Sequence, residues 1–153
     1  MGYTPVVLGD IRGVKKSTSD AFELALSVIF LSGIQHIADI PRGINSAPEY
    51  VKDYLKELPA SWDEVQFIDG FPGKYVVIAR KAGNKWYVAG INGDKTEKQI
   101  NMDLSFLKQY KSGQLITDGS DANSFSQTKI KPAKDIRISL RPAGGFVMVF
   151  EGI

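Results

Sequence analysis

The sequence contains no cysteine and a single histidine, His36. Those two shortages remove whole classes of chemistry before any pattern is read. Without thiols there is no disulfide framework, no thiolate nucleophile and no thiolate zinc site. One imidazole does not assemble a transition-metal centre. A nucleophilic triad would have to be built around His36, which lies in an apolar stretch and reads as a core or helix-terminal histidine bonded to backbone. Charge of one sign is also lacking. Nineteen Lys and Arg against seventeen Asp and Glu leave a net +2, and no basic cluster is present to follow a phosphate backbone, so nucleic acid is not an expected partner. Long hydrophobic runs are missing as well. The most apolar segment, Ala21 to Pro41 (AFELALSVIFLSGIQHIADIP), is interrupted by Glu23, Ser27, Ser32, Gln35 and His36. It falls short of the ~20 apolar residues that span a bilayer, so no membrane partner is expected. No basic segment followed by an apolar core opens the chain, so no leader is expected either.

What is present is ordinary for a globular protein: 153 residues, 43% hydrophobic and 24% charged. That is the length of one domain, long enough to bury about two-thirds of its unfolded surface. The chain opens on YTPVVL, Tyr3 to Leu8, which reads as a strand covered on both faces, as in a parallel sheet. A polar loop follows, with Ser17, Thr18, Ser19 and Asp20 as candidate helix caps; Asp20 and Glu23 have capping-box spacing. Phe22 to His36 reads as a helix apolar on nearly every side, unlike a surface helix. Strand, loop and buried helix together have the form of one β/α unit cut from a larger α/β body. Pro41, Gly43 and Pro48 break the pattern. A short amphipathic helix then places Val51, Tyr54, Leu55 and Leu58 on one face.

From Trp62 the pattern changes to β. Seven strands are expected at Val65–Asp69, Lys74–Lys81, Lys85–Ile91, Lys98–Leu104, Gln114–Thr117, Ile136–Leu140 and Phe146–Phe150. Turn residues separate them every 8–15 positions, the signature of an antiparallel sandwich. INMDL and IRISL alternate as half-exposed strands should. In the hairpin KYVVIARKAGNKWYVAGIN a three-residue turn, Ala82-Gly83-Asn84, would place Tyr75, Val77, Ala79, Tyr87, Ala89 and Ile91 on one face. Val76, Ile78, Arg80, Trp86 and Val88 would share the other, with Arg80 free to stack on Trp86; a two-residue turn would exchange these sets. Both faces are apolar, so the hairpin is expected to be covered on two sides. Trp86 and Tyr87 are either core aromatics or a platform for a sugar ring, with Asn84, Asn92 and Asp94 as the amides and carboxylate beside it.

Acid/base chemistry would need two carboxylates facing one bond. Asp63 and Glu64 are adjacent and point to opposite faces of a strand, while Asp39 and Asp69 sit at element ends. The run DGSDAN, Asp118 to Asn123, lacks calcium-loop spacing, and AGG precedes a strand rather than a helix, so it is not a phosphate loop. No catalytic residue is assigned.

The runs YTPVVL, ELALSVIFLSGIQHIADIP, VKDYLKELPASWDEVQFIDGFPGKYVVIARK and KWYVAGINGD together resemble the C-terminal portion of glycoside hydrolase family 97, α-glucosidases and α-galactosidases typical of gut Bacteroidetes. The resemblance covers nearly the whole chain, and SWDEVQFIDGFPGKYVVIAR with WYVAGI is its most specific part. It implies a mainly β fold: an antiparallel β-sandwich, residues 61–153, preceded over 1–60 by a strand and helices from the end of a (β/α)8 catalytic barrel. It implies further that the catalytic carboxylates and calcium ligands of the parent enzyme lie upstream, and that this chain holds no cofactor of its own. Members commonly carry Asp where this chain has Gly2; Tyr3, beside it, is carried over as a substrate-binding candidate at the barrel rim, and Trp86 is the other. A periplasmic location also follows from the resemblance. The expected role is a non-catalytic sandwich that supports the upstream barrel and contributes oligomer contacts. An independent carbohydrate-binding module that takes an oligosaccharide on Trp86, and an interaction domain that associates through Phe22–His36, are the alternatives.

Overall fold

The computed structural model describes residues 7–10, 13–30 and 41–152. Helix α1 (Asp20–Ile29) begins where the Ser19 side chain accepts a hydrogen bond from the Phe22 amide at 3.1 Å. That bond satisfies one of the donors every helix start leaves open. The cap is Ser19 rather than Asp20, whose carboxylate turns inward, accepts from the Gly9 amide at 2.9 Å and pairs with Lys16. Glu23 accepts from the Thr18 hydroxyl. The helix ends before the expected limit, because Phe30 has left helical geometry at φ −84°, ψ 136°. The rest of that apolar stretch, with His36 and Asp39, lies outside the described residues, and so does most of the expected strand Tyr3–Leu8; Val7 and Leu8 lie in no strand. A turn of helix, α2 (Pro41–Ser46), follows where only breakers were read, and then α3 (Glu49–Lys56).

Strands β1 (Glu64–Phe71), β2 (Tyr75–Ala82) and β3 (Lys85–Asn92) form a meander on one side of a six-stranded sheet. β4 (Lys98–Met102) leaves it to pair with β7 (Ile136–Leu140) as a separate two-stranded ribbon. β5 (Gly113–Asp118), β6 (Phe125–Ile130) and β8 (Gly145–Glu151) complete the large sheet in the order β1-β2-β3-β8-β5-β6, antiparallel throughout. Among the described residues from Trp62 onward there are eight strands, not seven. The additional one, β6 (FSQTKI), is an edge strand with one paired neighbour and an exposed, polar middle, so its sequence carries no alternation to read.

The β2–β3 turn also differs from expectation. Ala82 pairs with Lys85, leaving the two-residue loop Gly83-Asn84, with Gly83 at φ +60°. Glycine at the first loop position with positive φ suits the turn type whose twist matches the flanking strands. One residue fewer in the loop exchanges the faces of β3 relative to β2. Val77 and Ala79 therefore share a face with Trp86 and Val88, and Arg80 pairs with Tyr87.

Those two faces define two cores. Val77, Ala79, Val88, Phe146, Met148 and Phe150 pack against Ile100 and Met102 of β4, Ile138 and Leu140 of β7, and Leu104 and Leu107 of the 3-10 turn that follows β4. On the opposite face Tyr87, Ala89, Ile116 and Val147 pack beneath Leu24, Ala25 and Val28 of α1 and Val51 and Tyr54 of α3. Each fully buried Leu, Val or Phe contributes about 1.5–3 kcal/mol, so both layers are substantial. Two glycines set the spacing. A methyl on Gly90 would lie 2.4 Å from the Phe146 ring, and one on Gly145 would lie 2.7 Å from the Phe22 Cα, so α1 sits directly on β8. The start of α1 is tied to the loops beneath it by Ser19 N–H to Ala143 O and Asp20 N–H to Ala122 O, at 2.9 and 2.8 Å.

Candidate functional site

Trp86 lies in the first core, 6% exposed, with the Phe106 ring edge-on at 5.3 Å. No face of the indole is open to solvent. Tyr87, on the second core, is 2% exposed; it packs edge-on against Trp62 at 5.3 Å and donates its hydroxyl to the Glu57 carbonyl at 3.3 Å. The amides read as neighbours of a sugar platform are committed to turns. Asn92 is buried and donates to the Thr96 and Arg141 carbonyls at 2.8 and 3.0 Å, while its oxygen accepts from the Asp94 amide. Asp94 accepts from the Lys95 amide and pairs with Lys74 at 3.3 Å, and both contacts hold its carboxyl below the usual range. Asn84 reaches the Gly152 carbonyl. Tyr3, the other sugar-contact candidate, lies outside the described residues. Arg80 does not stack on Trp86; the observed register puts it on the opposite face, 5.8 Å from the Trp62 ring centre.

The carboxylates are similarly engaged. Asp63 accepts from the Gly83 amide at 2.8 Å and Glu64 pairs with Lys81 at 3.3 Å. Asp69 accepts from the Gly70 amide and the Tyr75 hydroxyl. Asp118 and Asp20 meet at the start of α1. Burial raises the Asp118 carboxyl, against hydrogen bonds from Ser19 and the Gly145 amide and the nearby Arg141 charge, with Asp20 adding repulsion. Asp20 is neutralised by Lys16. The pair lies where the start of α1 meets the sheet. Among the described residues no group of His, Asp and Glu could hold a metal ion. No helix among them is long and apolar enough to cross a membrane.

Two hollows remain. The first, about 340 Å³, lies beside α3 and includes Tyr50, Glu57, Lys85, Tyr87, Gln127 and Glu151 in its wall. Lys85 pairs with two of its acids, Glu57 at 3.1 Å and Glu151 at 3.8 Å. Burial alone would lower the Lys85 pKa, and those two carboxylates with Tyr87 turn the shift upward. The second, about 500 Å³, opens at the tip of the β1–β2 hairpin and is nearly all apolar. Phe67 and Phe71, both exposed, are in its wall. Sequence reading missed this surface, though its signal was visible: VQF followed by FPG is apolar where an edge strand is ordinarily charged.

These elements make a lopsided antiparallel sandwich with inward aromatics and an exposed apolar hairpin. Residues 61–151 match the glycosyl-hydrolase 97 C-terminal, oligomerisation family, and the chain belongs to it. It is 35% identical over 134 residues to a retaining alpha-galactosidase of Bacteroides thetaiotaomicron, a match covering 82% of this chain and 20% of that one. Among solved structures it superposes on a beta-arabinopyranosidase with TM-score 0.78 and 33% identity, over 90% of this chain and 22% of that one. A glycoside hydrolase family 97 enzyme variant from Pseudoalteromonas sp. strain K8 gives TM-score 0.79 and 25% identity, again over 90% of this chain and 23% of the other. The chain thus spans about a fifth of the length of these relatives.

Proposed function

We propose that this chain is the non-catalytic C-terminal sandwich of a larger α-glycosidase, in which it buttresses an upstream catalytic barrel and joins copies of the enzyme. The observation that carries the reading is the match of residues 61–151 to an oligomerisation family, in a module whose Asp63, Glu64 and Trp86 are used internally. In this reading residues 1–60 are the end of the barrel, and α1 is the layer through which barrel and sandwich meet. Tyr3 would then lie near the barrel rim and Trp86 would serve packing. Hydrolysis of α-glucosides or α-galactosides belongs to carboxylates upstream, and so does calcium, for which the described residues supply no ligand cluster.

Incubation of the chain with aryl α-galactosides and α-glucosides is expected to give no turnover above buffer, and light scattering is expected to give a mass above the 16.8 kDa of one chain. Turnover by the chain alone would refute the non-catalytic reading. A monomer at every accessible concentration would refute the joining role.

A further inference from the structure

The hollow beside α3 has no part in the role just proposed. We propose that it is a binding site for one ring of a neutral sugar, distinct from the buried Trp86 and independent of whether copies of the chain associate.

Strand register builds the site. Lys85 pairs with Glu151 and Tyr87 with Val149 across β3 and β8. Val149 pairs with Gln114 across β8 and β5, and Ile116 with Gln127 across β5 and β6. Paired residues share a face, so these side chains all stand on the side of the sheet that carries α1 and α3. There α1 packs chiefly on β3 and β8. Beyond them Gln114 and Gln127 are exposed. The facing wall is α3, whose Tyr50, Asp53, Tyr54 and Glu57 recur at the spacing of one helix face.

The floor of the hollow is apolar, formed by Tyr87, Ile116 and Val149. Tyr54 and Tyr87 are buried, so Tyr50, half-buried against the same core, is the ring that the wall presents to a guest. The charged side chains of the wall are Asp53, Glu57, Lys85 and Glu151. Lys85 lies between Glu57 and Glu151, at 3.1 and 3.8 Å, and Asp53 is 3.9 Å from Lys56. The acids that remain in excess repel an anionic guest, and Lys85 already holds the place a cation would take. Hydrogen-bonding capacity is left over all the same. An ionised carboxylate has about four acceptor positions and an ammonium three donors, while each glutamine amide offers both kinds. Of these, Lys85 and Glu57 spend one hydrogen bond on each other. Donors and acceptors around an apolar floor match a pyranose, whose hydroxyls do both and whose C–H face is apolar. The volume, about 340 Å³, is near the lower end of the roughly 300–1,000 Å³ of small-molecule pockets, which suits one ring and not a buried oligosaccharide.

The test uses the chain as it stands, with methyl α-galactopyranoside and methyl α-glucopyranoside as neutral probes and propylammonium as a cationic one. In an NMR titration either glycoside is expected to shift the side-chain amide signals of Gln114 and Gln127. The expected dissociation constant is millimolar, the range that ligand efficiency sets for a single ring. Gln127→Ala and Tyr50→Ala should each weaken binding by about 5-fold or more, the loss of one hydrogen bond or one ring contact. Phe71→Ala, at the other hollow, should leave it unchanged. If Tyr50→Ala unfolds the chain, the exposed Gln127 and the amide shifts decide alone. The assignment is overturned by silence of both amides well above millimolar sugar, by affinity indifferent to Gln127→Ala, or by shifts that only propylammonium produces. Each of these leaves the joining role standing, since that role is read from the mass of the particle and not from sugar binding.

Discussion

Arg80 is buried where a cation ought to be costly, and replacing it should stabilise the fold. Its side chain is 1% exposed beneath the end of α1. Nη2 donates to the Ile29 carbonyl at 3.0 Å, while Nε and Nη1 are buried with no partner. Desolvation pulls its pKa below the ordinary arginine value. Arg80→Met removes a hydrogen bond from a charged group, worth about 1.5–3 kcal/mol. It also removes the contact with Trp62, about 0.5–2 kcal/mol. Against these losses stand two unsatisfied donors at about 1–3 kcal/mol each and a buried charge whose desolvation costs several kcal/mol. The second set is larger, and comparable replacements elsewhere are neutral or stabilise by about 1–4 kcal/mol. At roughly 2–4 °C per kcal/mol for a chain of this size, a gain of about 1–4 kcal/mol should raise the melting temperature by about 2–16 °C. Arg80→Lys keeps the charge, shortens its reach and loses the planar fork, so it should melt below the unsubstituted chain. Calorimetry on the three proteins decides the matter. A methionine variant that melts lower than the parent would mean that the guanidinium is well satisfied in solution, and the reasoning would fail.

Gly90→Ala should destabilise by about 1–3 kcal/mol, the usual cost of overpacking, because its methyl would meet Phe146 at 2.4 Å; urea midpoints measure it, and an unchanged midpoint would show that the Phe146 ring can move aside. Tyr54 is buried with its hydroxyl 2.8 Å from the Ser27 hydroxyl, and burial raises its pKa well above the usual tyrosine value. Its folded pKa being raised, the contribution is complete below about pH 10 and is lost as pH climbs toward the folded value. Tyr54→Phe should therefore cost about 1 kcal/mol at pH 7 but show a shallower fall in urea midpoint between pH 9 and pH 11, about; equal slopes would count against this assignment. Asp118, also raised by burial, contributes stability that is present below about pH 4 and lost as pH rises through its folded pKa. Asp118→Asn should consequently gain on the parent between acid and neutral pH, and a constant gap across that range would contradict the assignment.

Much of the sandwich was legible because burial on one face writes itself as alternation. Ile136–Leu140 was read to the residue, since IRISL places Ile136, Ile138 and Leu140 inward against β4. The central strands β2, β3 and β8 were legible as apolar runs because both their faces are covered. β6 was not, since an edge strand takes its register from its neighbour's backbone and its side chains face water. The length of α1 was overread, because apolarity on every side says that a segment is buried without saying where its helical geometry stops.

The candidate site divides in the same way. The residue types gave the expectation of no thiol, transition-metal or triad chemistry, and the resemblance to the rear portion of a family 97 enzyme, a family to which the comparison of residues 61–151 assigns the chain. The sequence by itself therefore determined most of the strands from Trp62 onward, the inward alternation and the family. Only the tertiary structure decided which way each aromatic points: a loop of two residues instead of three put Trp86 with Val77 and Arg80 with Tyr87. Only the sheet order left β1 at an edge with Phe67 and Phe71 uncovered. The physical reason is that alternation records that a side chain is buried or exposed within its own strand. Which neighbour covers it depends on register and strand order, and these are settled by contacts between residues far apart in the chain.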